Sequence, residues 1–104
     1  MTDLDKFKKM ISGYDRLRVD IVNEGRDYVQ LMEVLPSDST AGVFNKSWLK
    51  MRKSKFTFEK FVATIEKMHP EYDKPKSWHY CEDLVEIMKK LKRDIKIKNI
   101  LEND

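Results

Sequence analysis

The stretch Arg16–Leu35, RLRVDIVNEGRDYVQLMEVL, decides the fold. From Arg16 to Ile21 polar and apolar residues alternate strictly, the mark of a strand with one buried face. Asn23-Glu24-Gly25 supplies turn chemistry, and an extended pattern resumes at Asp27 and runs to Leu35 before Pro36 ends it. With Gly25 in the left-handed bulge position of a type I turn, Val22 is expected opposite Arg26 and Val19 opposite Val29. Leu17, Val19, Ile21, Val29 and Leu31 then share the core face, and Arg18, Asp20, Tyr28 and Gln30 share the other. A tighter turn at Glu24-Gly25 would slip the pairing by one and send Val29 and Leu31 to the polar side. The bulged hairpin is the consistent solution.

Outward from the hairpin, Thr2 can cap a short helix over Asp3–Ser12, with Leu4, Phe7, Met10 and Ile11 on one face and Gly13 as its stop. Downstream, Val43 to Met51 fits either a third strand or a short helix opened by Ser47; the strand is carried forward. Thr57 begins the clearest helix. Phe56 and Phe61 flank it at the spacing of a hydrophobic staple. Phe58, Phe61, Val62, Ile65 and Met68 form its apolar stripe, closed by Pro70. Ser77 is expected to cap a longer helix bearing Cys81, Leu84, Val85, Met88, Leu91 and Ile95. Residues 95–101 fit a continuation of that helix or an edge strand equally well. The order predicts an α+β fold: a small single domain over residues 1–104, with an N-terminal helix, an antiparallel β-hairpin and a candidate third strand, then two helices packed on the sheet.

The 104 residues are 40% hydrophobic and 38% charged, too apolar for disorder. Net charge is only +3, from 21 basic and 18 acidic residues, so any electrostatic function must come from local clustering. The single cysteine, Cys81, forbids an intrachain disulfide and suits a reducing, cytoplasmic setting. No apolar run is long enough for a membrane span or signal peptide, and no membrane partner is expected.

Catalytic chemistry lacks its parts. His69, His79, Cys81 and Asp83 are the candidate metal ligands. His79 and Asp83 are four apart on the expected helix, but Cys81, two from His79, points elsewhere, so no metal site is expected. The same spacing denies Cys81 a base for nucleophilic attack. Three glycines build no phosphate cradle. Glu82, Asp83 and Glu86 read as a charged helix face. Neither an enzyme nor a cofactor is expected.

What stands out chemically is Lys46–Phe61, KSWLKMRKSKFTFEKF, with Glu59 its only acid. On a regularly alternating strand, Trp48 would share a face with Lys46, Lys50 and Arg52, away from Leu49 and Met51. Lys46, Trp48, Lys50, Arg52, Lys53 and Lys55 are therefore the candidate binding residues. An indole among cations suits an anchor at a protein interface and equally suits base stacking beside phosphate contacts. A second basic run, Lys89 to Lys98, gains from the C-terminal end of a helix dipole and is diluted by Asp94 and the closing acids. The functional expectation is a small regulatory protein, an accessory or inhibitory factor docking on a larger intracellular protein or nucleoprotein complex. The alternative is direct binding of DNA or RNA through Lys46–Lys55.

Overall fold

The computed structural model describes residues 2–35, 44–77 and 80–102. The fold is α+β: an N-terminal helix, a three-stranded antiparallel sheet and two further helices, in that order along the chain. It divides into two compact units, Met1–Phe56 and Thr57–Asp104.

In the first unit, helix α1 (Asp3–Ile11) is opened by a capping box. Thr2 Oγ1 accepts the Asp5 N–H at 3.2 Å, and the Asp5 carboxylate accepts the Thr2 N–H at 3.3 Å. The Thr2 hydroxyl donates to the same carboxylate at 2.9 Å. These bonds from Thr2 hold the Asp5 carboxyl below its ordinary pKa. Leu4, Phe7 and Ile11 are buried, and the helix lies against the first strand.

Strands β1 (Leu17–Asn23), β2 (Asp27–Leu35) and β3 (Phe44–Arg52) form a sheet in the order β1-β2-β3. The third strand expected from Val43 to Met51 is present, although Val43 itself lies outside the described residues. Gly25 has φ +76°, the left-handed conformation expected of it. The hairpin register differs from the expectation. Val22 pairs with Tyr28 and Val19 with Leu31, while Val29 faces Ile21. The Glu24 N–H donates to the Arg26 carbonyl at 2.9 Å, so the loop holds Arg26 as well, and pairing resumes at Asn23–Asp27. A two-residue shift preserves parity, which is why every side chain keeps its expected face. Val29 and Leu31 are buried with Leu17, whereas Val19 is half-buried and Ile21 is 38% exposed. Phe56 closes the unit, its ring centroid 5.1 Å from that of Phe7.

In the second unit, Thr57 caps α2 (Phe58–Met68), its Oγ1 accepting the Lys60 N–H at 3.1 Å. Phe58, Phe61, Val62 and Ile65 are buried, but Met68, expected in the same stripe, is exposed. Helix α3 runs from Glu82 to Glu102. Ser77 therefore does not cap it. Its hydroxyl donates to Glu71 at 3.3 Å, its carbonyl accepts the Tyr80 N–H in a turn, and Cys81 supplies the first helical carbonyl, accepting from Val85. Leu84, Ile87, Met88 and Leu91 form the buried stripe with Cys81. The open choice at residues 95–101 resolves as helix, leaving Ile97, Ile100 and Leu101 exposed. Lys92–Glu66 at 3.0 Å and Lys98–Glu59 at 3.8 Å link α3 to α2 and set them antiparallel. The Glu66 hydrogen bond raises the Lys92 pKa above its ordinary value.

Candidate binding surface

Strand β3 does not alternate regularly, and that irregularity separates Lys46 and Trp48 from Lys50 and Arg52. Leu31 pairs with Leu49, but Met32 pairs with Ser47, so Trp48 is the extra residue of a β-bulge. Below the bulge, Lys50 and Arg52 lie opposite Gln30 and Tyr28 on the open face. Above it, Lys46 lies opposite Glu33, on the face that buries Val29 and Leu31. The bulge lets Trp48 and its neighbour Leu49 both turn inward, and they are 1% and 3% exposed. Trp48 is thus a core residue, not the solvent-facing anchor that regular alternation predicts.

Its polar edge is satisfied in place. Trp48 Nε1 donates to Glu33 Oε1 at 3.0 Å, and Glu33 is itself only 5% exposed. The Lys46 ammonium stands 3.8 Å from the centre of the indole ring, a cation–π geometry. Lys46 and Trp48 are therefore withdrawn from the surface that Lys50 and Arg52 occupy. No sequence signal short of the bulge itself separates them.

The remaining cations gather at the turn end of the open face. Lys50 Nζ lies 2.6 Å from Glu24 Oε2 and 5.1 Å from the centre of the Tyr28 ring. Arg52 and Lys53, with Ser54, face Arg26 and Asp27 across a shallow open hollow. Lys53, Ser54 and Lys55 form a short 3-10 turn with no buried residue. Asn23 Nδ2 donates to Asp27 at 2.9 Å, which orients that carboxylate toward the turn. Arg26, Arg52, Lys53 and Lys55 form no ion pair among the described residues.

Tyr28 was legible on this face from the hairpin pattern. Arg26 was not, because only the register of β2 on β3 brings the hairpin turn beside Arg52. The arrangement supplies a local positive field, one half-buried phenol ring and several hydrogen-bond donors.

Among the described residues no group of three or more His, Cys, Asp or Glu side chains is placed to hold a metal ion. His79 lies outside them, and Cys81 is buried. No described helix is long and apolar enough to cross a membrane. Comparison with protein-family models, curated proteins and solved structures finds no match to this chain.

Proposed function

We propose that this protein is a small non-enzymatic interaction module, an accessory or inhibitory factor that docks on an acidic face of a larger intracellular protein or nucleoprotein complex. The observation that carries the reading is the convergence of Arg26, Arg52 and Lys53 on one open hollow, with Lys50 and Tyr28 beside it. Cations drawn from separate elements concentrate a field that the net charge of +3 does not provide. A lone buried cysteine fits a reducing, cytoplasmic setting.

A second reading, direct binding of single-stranded nucleic acid, is favoured by one feature. Tyr28 sits on the open face of an antiparallel sheet beside Lys50 and Arg52, the combination of ring and cation that stacks a base and holds its phosphate.

The experiment is capture of partners from cell extract by wild type and by the Arg52→Glu/Lys53→Glu double variant, each with and without nuclease. Partners that survive nuclease and vanish with the double variant support docking on protein. Partners lost to nuclease, with binding that falls steeply and log-linearly with salt, support the nucleic-acid reading. Partners retained by the double variant refute this surface.

A further inference from the structure

Among the described residues β1 is an edge strand of the sheet, and the polarity of its outer backbone can be read directly. The Arg16 carbonyl accepts the Val34 N–H at 2.7 Å, which makes Arg16 and Val34 a hydrogen-bonded pair of the β1–β2 ladder. Antiparallel alternation then directs the N–H and C=O groups of Arg18, Asp20 and Val22 to β2, and those of Leu17, Val19, Ile21 and Asn23 outward. No strand pairs with that outer edge among the described residues. β1 pairs with β2 without a bulge along its whole length, and its sequence holds no lysine or proline, so its only edge guards are the oppositely charged Arg18 and Asp20.

We propose that this edge pairs antiparallel with the same edge of a second copy of the chain, joining two three-stranded sheets into one continuous sheet in an isologous dimer. Charge fixes both the occupant and the register. Because Leu17, Val19, Ile21 and Asn23 present the outward backbone groups, residues of this set must face one another across the new ladder. Three registers keep five or more of the strand's seven residues paired, and the one centred on Ile21 sets Asp20 against the partner's Val22 with no ion pair between the strands. Placing Val19 opposite the partner's Ile21 sets Asp20 against the partner's Asp20. A shorter pairing, with Leu17 opposite the partner's Val19, sets Arg18 against the partner's Arg18. Both of these put like charges face to face.

The third register centres Val19 on the partner's Val19. Leu17 then faces the partner's Ile21, and Arg18 faces the partner's Asp20, twice by symmetry. The Arg–Asp pairs occupy non-hydrogen-bonded positions, where opposite side chains come closest, with Cα atoms about 4.5 Å apart. Leu-Arg-Val-Asp-Ile is thus its own complement when reversed. Arg18 and Asp20 already meet at 3.0 Å within one chain, so pairing joins two existing ion pairs into a four-charge cluster. Lys8, Ile11 and Ser12 at the end of α1 line an open hollow together with Leu17, Arg18, Val19 and Ile21 of β1. Val19, half-buried, and Ile21, 38% exposed, are the apolar surface the second copy covers. This inference is independent of the basic surface proposed above.

Sedimentation equilibrium over a wide concentration range tests it. Wild type is expected to associate to a dimer. Arg18→Asp and Asp20→Arg, each replacing both cross-strand pairs by like charges, should each weaken association about tenfold or more. The Arg18→Asp/Asp20→Arg swap should restore it, and mixing the two single variants should give a heterodimer. Arg18 is exposed and Asp20 is half-buried at the surface, so the variants should melt close to wild type. Val19→Cys should cross-link to a dimer under mild oxidation much faster than Ile21→Cys. A wild type that stays monomeric at every concentration overturns the proposal, as does a dimer indifferent to Arg18→Asp or a charge swap that fails to restore pairing.

Discussion

The two edges of the sheet are built on opposite principles. β3 breaks its own ladder with a bulge, carries Lys46, Lys50 and Arg52, and is pinned to the core by Trp48. β1 keeps an unbroken register, holds its charges in the balanced pair Arg18–Asp20, and leaves Ile21 open to water. Lysines and bulges on an edge strand discourage addition of a further strand, whereas a regular edge whose charges are balanced stays open to one of matching pattern. The lesson is that the cations of β3 and the quiet alternation of β1 point to different kinds of partner. β3 presents charge to an acidic surface, and β1 presents backbone to another strand.

The comparison breaks most visibly at Trp48. Trp48→Ala should cost about 3–5 kcal/mol by denaturant unfolding, because it empties the core at the bulge and strips Glu33 of its indole donor. A loss below about 1 kcal/mol would mean that the bulge is not what holds β3. Glu33→Ala should follow, at about 1–3 kcal/mol, by leaving the buried indole N–H without an acceptor. Glu33→Gln, which keeps an acceptor oxygen, should recover much of that loss in the same measurement.

On the opposite edge, Val19→Ala should cost only about 1 kcal/mol, since that side chain is half-buried. Lys50→Glu with Arg52→Glu should change stability by about 1 kcal/mol or less. Lys50 gives up an exposed pair with Glu24, and exposed pairs contribute little. Its effect should appear in partner binding, read by the salt-dependent capture described above.

The smallest effect is confined to the β1 side. The Asp5 pKa is lowered by its bonds to Thr2, so its contribution to the α1 cap is complete above the ordinary carboxyl pKa of 3.8 and is lost as pH falls through the lowered folded value. Amide exchange during acid titration should show α1 loosening first beside β1, with the Trp48 indole N–H unchanged at that step. Simultaneous loosening of both would show that the two edges are not independent.

How much of this was legible depends on whether the deciding interaction is local. The caps at Thr2 and Thr57, and the positive φ at Gly25, follow from residues within one turn of each other and were readable. The two faces of the hairpin were readable as well, and survived a register error of two residues because side-chain direction depends only on parity. Ser77 looked like a cap by residue type alone, but its hydroxyl is spent on Glu71. Residues 95–101 carried both periods, and the helix that forms there leaves Ile97, Ile100 and Leu101 exposed.

The sequence by itself determined the element order, the capped helix starts and which hairpin residues face the core, because each rests on short-range sterics and periodicity. Only the tertiary structure decided the fate of the basic-aromatic stretch. Whether Trp48 faces water or core depends on where β3 slips past β2, and that slip is favoured by a buried indole meeting Glu33 fifteen residues away. Arg26 likewise joins Arg52 and Lys53 only through the sheet. Strand pairing at long sequence separation is set by the packing and polar satisfaction of both strands together, and neither strand records it alone.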